Sequence, residues 1–243
     1  MRIVSHNAFW FQAVPFPTDR PGRAVPTVME ALVELYLALR PDVLALQEIQ
    51  DRATFERLAR AMAMSGAYAP GAELSQYGVA TFFREGRLVA EGTAGQLRPQ
   101  RMWQMVELPG QRMPAVRICN IHLPSSRQLG KAMAVRRRVA ELRSVLALPE
   151  PPAVLLGDLN EPPGGPVGQC LTQLGYLDAA VVTGQADRPT NVAGKRGDQI
   201  WVQCRLEKHI RGYGVISRGR MARDPGGQGF LSDHFPLWLD LEV

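Results

Sequence analysis

The sequence predicts an α/β (α+β) protein in which two packed mixed β-sheets are flanked by helices. Three observations carry this: two strand-helix-strand units that each end in a carboxylate, a run of strand-like segments between them, and further strands after the second unit. With 243 residues, 46% hydrophobic and 21% charged, the chain has the profile of a globular protein, and its length suits one large domain, residues 1–243. No Ser/Gly-rich linker, charge block or low-complexity tract offers a boundary within it.

Taken in order, residues 2–7 read as a short strand, and residues 27–40 (TVMEALVELYLALR) carry apolar residues at helical spacing, stopped by Pro41. Residues 42–47 form a buried strand that delivers Glu48, and QDRATFERLARAM after it reads as a helix. YGVATFFR, RLVAEGT and MWQMVEL are expected to be consecutive strands, antiparallel because their connections are short. The strand-helix-strand pattern then recurs. Residues 115–121 are a strand ending at His122, residues 129–148 a helix, and residues 153–156 a strand ending at Gly157-Asp158. A short helix near residues 166–174, strands at 199–203 and around 212–216, and a last strand at 235–241 complete the chain.

Several function classes are disfavoured at once. The opening MRIVSHNAFW reaches His6 and Asn7 before a signal-like apolar core could form, and no apolar run approaches the length of a bilayer span, so a cytoplasmic protein is expected. Cys119, Cys170 and Cys204 are far apart and lack CxxC spacing, which supports neither a disulfide framework nor a thiolate zinc site. The net charge of +5 favours anionic partners, though charge alone is a weak signal.

The chemistry sits at strand ends. Glu48 follows VLALQ, His122 follows ICNI, Asp158 and Asn160 lie in LLGDLN, and Asp233-His234 precede FPLWLDL. Groups so costly to desolvate rarely cap buried strands unless they meet at one site. Side chains two apart on an extended chain share a face, so Asp158 and Asn160 point together: a carboxylate able to orient and deprotonate water beside an amide able to donate to an oxyanion. The same pair also caps turns in many proteins. If Glu48 converges with Asp158 and Asp233, their mutual repulsion calls for a cation, and oxygen ligands without clustered Cys or His point to magnesium, manganese or calcium. Glu48 could equally stand exposed at the start of the helix that follows it. His234 could contact a substrate anion with Asp198 in KRGDQIWV orienting it, or belong to a surface turn with Ser232 and Asp233. His122 alone is ambiguous in the same way.

In this order the segments resemble the endonuclease/exonuclease/phosphatase family, the deoxyribonuclease I-like superfamily. The resemblance rests on Asn7, Gln47-Glu48, His122-Leu123-Pro124, Gly157-Asp158-Leu159-Asn160, Gly197-Asp198-Gln199-Ile200 and Ser232-Asp233-His234-Phe235-Pro236, and spans nearly the whole chain. It implies a four-layer α/β sandwich with an active site at one edge of the paired sheets, and a metal-dependent phosphoester hydrolase, magnesium being the first expectation. By the same resemblance Glu48 is the principal metal ligand, Asn7 stands beside metal and phosphate, and Asp233 is a further metal-site acid. Asp158 activates or orients the attacking water, Asn160 helps hold nucleophile and phosphate, and His234, oriented by Asp198, contacts phosphate or transfers a proton. His122 occupies a place where relatives use His or Tyr near the scissile phosphate.

The substrate is less legible. Abasic-site enzymes of the exonuclease III type usually carry Lys two positions after the catalytic Glu, where this chain has Gln50, and their Arg-Ile-Asp-Tyr pattern becomes Arg196-Gly197-Asp198-Gln199. The long loop FWFQAVPFPTDRPGRAVP interleaves Trp10, Phe11 and Phe16 with Arg20 and Arg23, a composition able to stack on bases while neutralising phosphates, to shelter a lipid headgroup, or to cover the sheet edge. The tail loop ISRGRMARDPGGQGF adds Arg218, Arg220 and Arg223, favoured as contacts to an anionic substrate. Lys131 and residues 136–138, all Arg, read instead as a solvated helix face. A nuclease leads. A phosphatase or phospholipase-type phosphodiesterase acting on an inositol phosphate, nucleotide or sphingomyelin-like headgroup is the alternative, and a non-catalytic binding module would be expected to have lost some of these acids.

Overall fold

The computed structural model describes residues 1–15, 21–94, 97–110, 114–223, 226 and 229–243. Its elements, in chain order, are β1 (Arg2–Asn7), α1 (Pro26–Leu39), β2 (Val43–Ile49), α2 (Arg52–Met62), β3 (Ser65–Ala69), β4 (Gly78–Phe83), β5 (Arg87–Glu91), β6 (Met102–Leu108) and β7 (Val116–His122). There follow α3 (Ser126–Leu129), α4 (Lys131–Leu146), β8 (Val154–Asp158), α5 (Pro166–Gln173), β9 (Tyr176–Asp178), α6 (Ala179–Val182), β10 (Asp198–Gln203), β11 (Ile210–Val215), α7 (Arg218–Met221) and β12 (Leu237–Leu241).

Two six-stranded mixed sheets result, one in the order β11-β12-β1-β2-β4-β3 and the other β5-β6-β7-β8-β10-β9. The period-two alternation of each strand sorts its side chains between two interfaces. Ile3, Val43 and Ala45 from the first sheet meet Ile118, Val154 and Leu156 from the second, forming the core between the sheets. Their neighbours Val4, Leu44 and Leu46 face the other way, onto Leu32 of α1 and Leu58 of α2. Cys119 and Leu155 pack outward on Leu142 of α4 and Leu171 of α5. The molecule is therefore the expected four-layer sandwich of helices, sheet, sheet and helices. Strands buried on both faces must read as continuous apolar runs, which is how β2 and β8 appear in the sequence.

Each strand-helix-strand unit places a parallel pair at the centre of its sheet: β1 beside β2, and β7 beside β8. Parallel pairing puts the carboxyl ends of all four strands at the same edge, which is why the strand-end residues can meet.

Three local expectations need correction. The segments 77–84 and 87–93 do not pair with each other: β4 joins β2 and β3 in the first sheet, while β5 starts the second and pairs with β6. The short connection carries the chain between sheets instead of closing a hairpin. The helix expected over 129–148 is broken at Gly130, whose φ of 71° no helix accommodates, into α3 and α4. Arg138 belongs to no solvated face; it is buried, and its guanidinium donates to the Pro124 carbonyl at 3.0 Å and to Glu161 at 2.9 Å, tying α4 to both loops that leave β7 and β8.

Candidate active site

Two of the strand ends are bent out of regular geometry. Glu48 has φ of 57° and lies where the pairing of β2 with β4 slips by a residue, between Gln47 and Ile49. This bulge allows Gln47 to keep its place in the sheet while Glu48 is re-aimed at the cleft. At the end of β8, Gly157 has φ of 137°, and a Cβ there would lie 2.0 Å from the Ile121 carbonyl oxygen, so only glycine lets β7 and β8 approach. Asn160 follows with φ of 52°. Among the described non-glycine residues with positive φ, Arg40 and Ala63 are ordinary helix C-caps, whereas Phe9, Trp10, Phe11, Ala13, Glu48 and Asn160 all follow or end the strands that converge here. Such strain persists where the surroundings over-determine the backbone.

Asp158 is at the centre. It faces His122 across the parallel pair and Asp198 across the antiparallel one. Its Oδ2 accepts from Asn7 Nδ2 at 3.2 Å and Asn160 Nδ2 at 3.1 Å, its Oδ1 accepts from the Asn160 backbone N–H at 2.9 Å, and His122 Nε2 is 3.3 Å away. Burial alone would raise its pKa, but the His122 hydrogen bond and the charges of His234 and Arg101 hold the carboxyl well below the usual range. Asp158 is thus held in its anionic form at neutral pH. The amide of Asn160 also donates to the Leu123 carbonyl at 3.0 Å, so both of its N–H groups are committed to holding the loop and Asp158.

His234 and Asp198 form the second part. The ring Nδ1 lies 2.8 and 3.0 Å from the two Asp198 oxygens, and Thr190 Oγ1 donates to Asp198 at 2.8 Å. Burial pulls the imidazole pKa down, but the carboxylates of Asp198 and Asp233, with the direct Asp198 hydrogen bond, carry it well above its ordinary value. Ser232 fixes the segment from beneath: its Oγ donates to the Asn7 carbonyl at 2.8 Å and accepts the His234 N–H at 3.1 Å. The Ser-Asp-His turn is thereby attached to the end of β1.

Glu48 is 7% exposed. Burial, reinforced by Asp233 and Asp158, pushes its carboxyl up to about 7 against the opposing charge of Arg101. Arg101, the residue before β6, is a member of this site that the sequence offered no motif to find. It is buried, its Nη1 lies 3.9 Å from Glu48 Oε1 and touches His122 Nε2, and its guanidinium stacks 4.1 Å from the Tyr77 ring centre. Burial and this neighbouring cation pull the His122 pKa down to about 3, leaving the ring neutral.

The candidate ligands suit a hard cation. The closest cluster of acid and imidazole groups among the described residues is Asp158, Asp198 and His234, with one ligand atom from each within 4.8 Å of the others; Glu48 and Asp233 stand outside that tight group. Among the described residues Asp233 Oδ1 is buried with no hydrogen-bond partner, and burial, reinforced by Asp233 and Asp158, makes Glu48 hold its charge poorly. An orphaned carboxylate oxygen and an excess of buried negative charge, with oxygen donors and no thiolate nearby, fit a divalent ion of the magnesium, manganese or calcium type.

The residues expected to bind substrate divide. Trp10 is not available for stacking: it is buried, packs 5.4 Å from the Tyr77 ring, and donates its Nε1–H to the Gln76 carbonyl at 2.6 Å. Phe9 beside it is only half-buried. Gln50 anchors the same loop by donating to the Trp10 carbonyl at 2.7 Å. Arg23 is exposed ahead of α1, and Arg20 lies outside the described residues. Arg218 donates to the Val192 carbonyl at 3.1 Å and lies over Phe230, next to the segment that holds Asp233. Arg220 and Arg223 line a groove of about 650 Å³ with Thr27, Ala31 and Glu34 of α1.

Two mixed sheets between helical layers, with an Asn-Glu-His-Asp-Asn-Asp-His constellation at their shared edge, define a class. The chain belongs to the Endonuclease/Exonuclease/phosphatase family, whose sequence profile matches residues 4–234. No curated protein sequence matches it. Among solved structures it is similar to the 3′ phosphatase NExo from Neisseria bound to a product DNA hairpin, at 20% identity with 100% of each chain covered and a TM-score of 0.73. It is also similar to an endonuclease/exonuclease/phosphatase from Beutenbergia cavernae DSM 12333, at 20% identity, 100% of this chain and 71% of the other, TM-score 0.72. The catalytic domain of human Nocturnin with a bound sulfate anion matches at 20% identity, 99% and 93% coverage, TM-score 0.67. At such identity these neighbours establish the fold. No described helix is long and apolar enough to cross a membrane.

Proposed function

We propose that residues 1–243 form one phosphoester hydrolase domain, a divalent-metal-dependent phosphodiesterase acting as a nuclease in the cytoplasm. The observation that carries the hydrolase reading is the pairing, in one cleft, of an anionic Asp158 held in place by Asn7 and Asn160 with an imidazole that Asp198 keeps protonated.

In the mechanism, Asp158 accepts a hydrogen bond from the attacking water and so turns a lone pair of the water oxygen towards phosphorus. Its depressed pKa makes it an orienting acceptor and a poor proton store. Asn7 and Asn160 each donate one amide hydrogen to Asp158 and so fix the carboxylate, while the second amide hydrogen of Asn160 holds the Leu123 carbonyl. His234 engages Asp198 through Nδ1, which leaves Nε2–H to donate to a phosphoryl oxygen as negative charge grows there. His122, neutral, stands with Nε2 3.3 Å from Asp158 and closes that side of the cleft beside Arg101. Glu48 and Asp233, with Asn7 beside them, would hold magnesium, or manganese or calcium in its place. That ion, when bound, supplies Lewis-acid stabilisation of the phosphoryl oxygens.

The nucleic-acid part of the reading rests on the net charge of +5 and on Arg23 and Arg218. The burial of Trp10 removes a stacking platform, which favours a small phosphoester as the second reading. A panel of single- and double-stranded DNA, RNA, nucleotides, inositol phosphates and phospholipids, assayed with magnesium, manganese or EDTA, separates the two. Metal-dependent cleavage of DNA or RNA is the expected outcome; activity confined to small or lipid phosphates rejects the nuclease reading.

A further inference from the structure

Between the apolar core and the charged cleft lies a layer that this mechanism does not use. Ser5 on β1, Gln47 on β2, Thr81 on β4, Gln104 on β6 and Asn120 on β7 are all buried and joined to one another. Below them the space between the sheets is hydrocarbon, with Ile3, Ala45, Ile118 and Leu156 in contact. Above them stand Asn7, Glu48 and His122.

Asn120 joins the two sides of this layer. From the second sheet its Oδ1 accepts Gln47 Nε2 at 2.7 Å, and its Nδ2 lies 3.2 Å from the Leu46 carbonyl, 3.2 Å from the Ala80 carbonyl and 3.1 Å from Thr81 Oγ1. Thr81 in turn donates to Gln104 at 2.9 Å. One side chain is thus bound to two strands of the opposite sheet, at Leu46 and Gln47 just before Glu48 and at Ala80 and Thr81 on β4, from a position two before His122. Apolar contact between sheets is non-directional and tolerates sliding, whereas buried hydrogen bonds are directional and costly to leave unmade. Apolar residues of similar shape would stabilise such an interface about as well, so stability does not account for the polar layer.

We propose that Asn120 is a positioning residue: through Gln47 and the β2 and β4 carbonyls it sets the register of the two sheets beneath the cleft. It thereby holds Glu48 at its spacing from His122 and Asp158. This rests on the reading of the cleft as the active site.

The test compares the Gln47→Leu/Asn120→Leu double variant with both single variants and wild type. Urea midpoints, kcat and KM on bis(p-nitrophenyl) phosphate with manganese, and a crystal structure are measured. Each single variant strands a buried partner and loses stability, and the double variant recovers the wild-type midpoint. Its kcat nevertheless falls roughly 10- to 100-fold with KM little changed. Its Glu48 Oε1 to His122 Nε2 separation departs from 3.8 Å by more than about the 0.5 Å that productive geometry tolerates. Wild-type kcat and wild-type separation in the double variant overturn the proposal. Should that variant fail to fold, Asn120→Ser, too short to reach the other sheet, is read by the same measures, and unchanged values there overturn it equally. A wild-type protein inactive on every phosphoester contradicts the hydrolase reading instead, and the separation in the variants then decides the positioning role alone.

Discussion

Replacing Glu48 by Gln is expected to stabilise the metal-free protein at neutral and alkaline pH and to leave it little changed in acid. The carboxyl is buried and titrates at about 7 in the native structure, against 4.5 in an unfolded chain, with burial as the main cause and Asp233 and Asp158 adding to it. Between those values the native state keeps a proton that the unfolded state has lost, so native stability falls as pH rises through the window. At about 1.4 kcal/mol per pH unit, the fall reaches roughly 3 kcal/mol by pH 8 and is absent below pH 4.5. The amide of the Glu48→Gln variant carries no such charge. Urea unfolding in EDTA, at intervals from pH 4 to 8, measures the difference in stability between wild type and Glu48→Gln; other titrating groups contribute to both and largely cancel. A difference that grows by about 3 kcal/mol between pH 4.5 and 8 agrees with the structure. A difference that stays flat shows that Glu48 is ionised without strain and refutes the argument that the cleft carries uncompensated negative charge.

Two further outcomes follow from the geometry. Asp198→Asn removes the main charge that raises the His234 pKa against burial, so the imidazolium is lost at lower pH than in the wild type. The alkaline limb of the pH-rate profile for hydrolysis should move to lower pH, with kcat above that limb reduced relative to wild type; an unmoved limb contradicts the role given to the pair. Arg138→Met leaves Glu161 buried without its partner and should cost about 3–5 kcal/mol in urea unfolding, much of it regained in Arg138→Met/Glu161→Gln. A loss below about 1 kcal/mol, of the size seen for exposed pairs, would mean that the two are not desolvated.

The central strands and the residues at their ends were readable because the physics there is local. Residues 2–7 and 102–108 are strands with the bounds expected, and Asp158, Asn160, Asp198 and His234 come together as their strand-end positions suggest. What escaped depends on contacts distant in sequence. Ser65–Ala69 is too small and mixed in composition to announce a strand, and becomes one by pairing with β4. The bulge at Glu48 is set by its partner strand, and nothing in VLALQEI marks it. Trp10 looks like a loop aromatic until Tyr77 and the Gln76 carbonyl, more than sixty positions away, cover it. Arg101 and Arg138 are single cations whose burial is decided by Glu48, Tyr77 and Glu161. The sandwich itself was legible through alternation, since Ile3 and Val4, or Ile118 and Cys119, fall to opposite faces.

The most direct measurement is hydrolysis of a generic phosphodiester by the wild-type protein, Asp158→Ala and His234→Ala, each with magnesium, with manganese and with EDTA, after circular dichroism has established that all three are folded. Activity in the wild type that requires the metal, and a loss of about 10²-fold or more in each folded variant, is the expected result. Near-normal turnover in either variant, or wild-type turnover that persists in EDTA, would contradict the assignment of this cleft as a metal-dependent phosphoester hydrolase site.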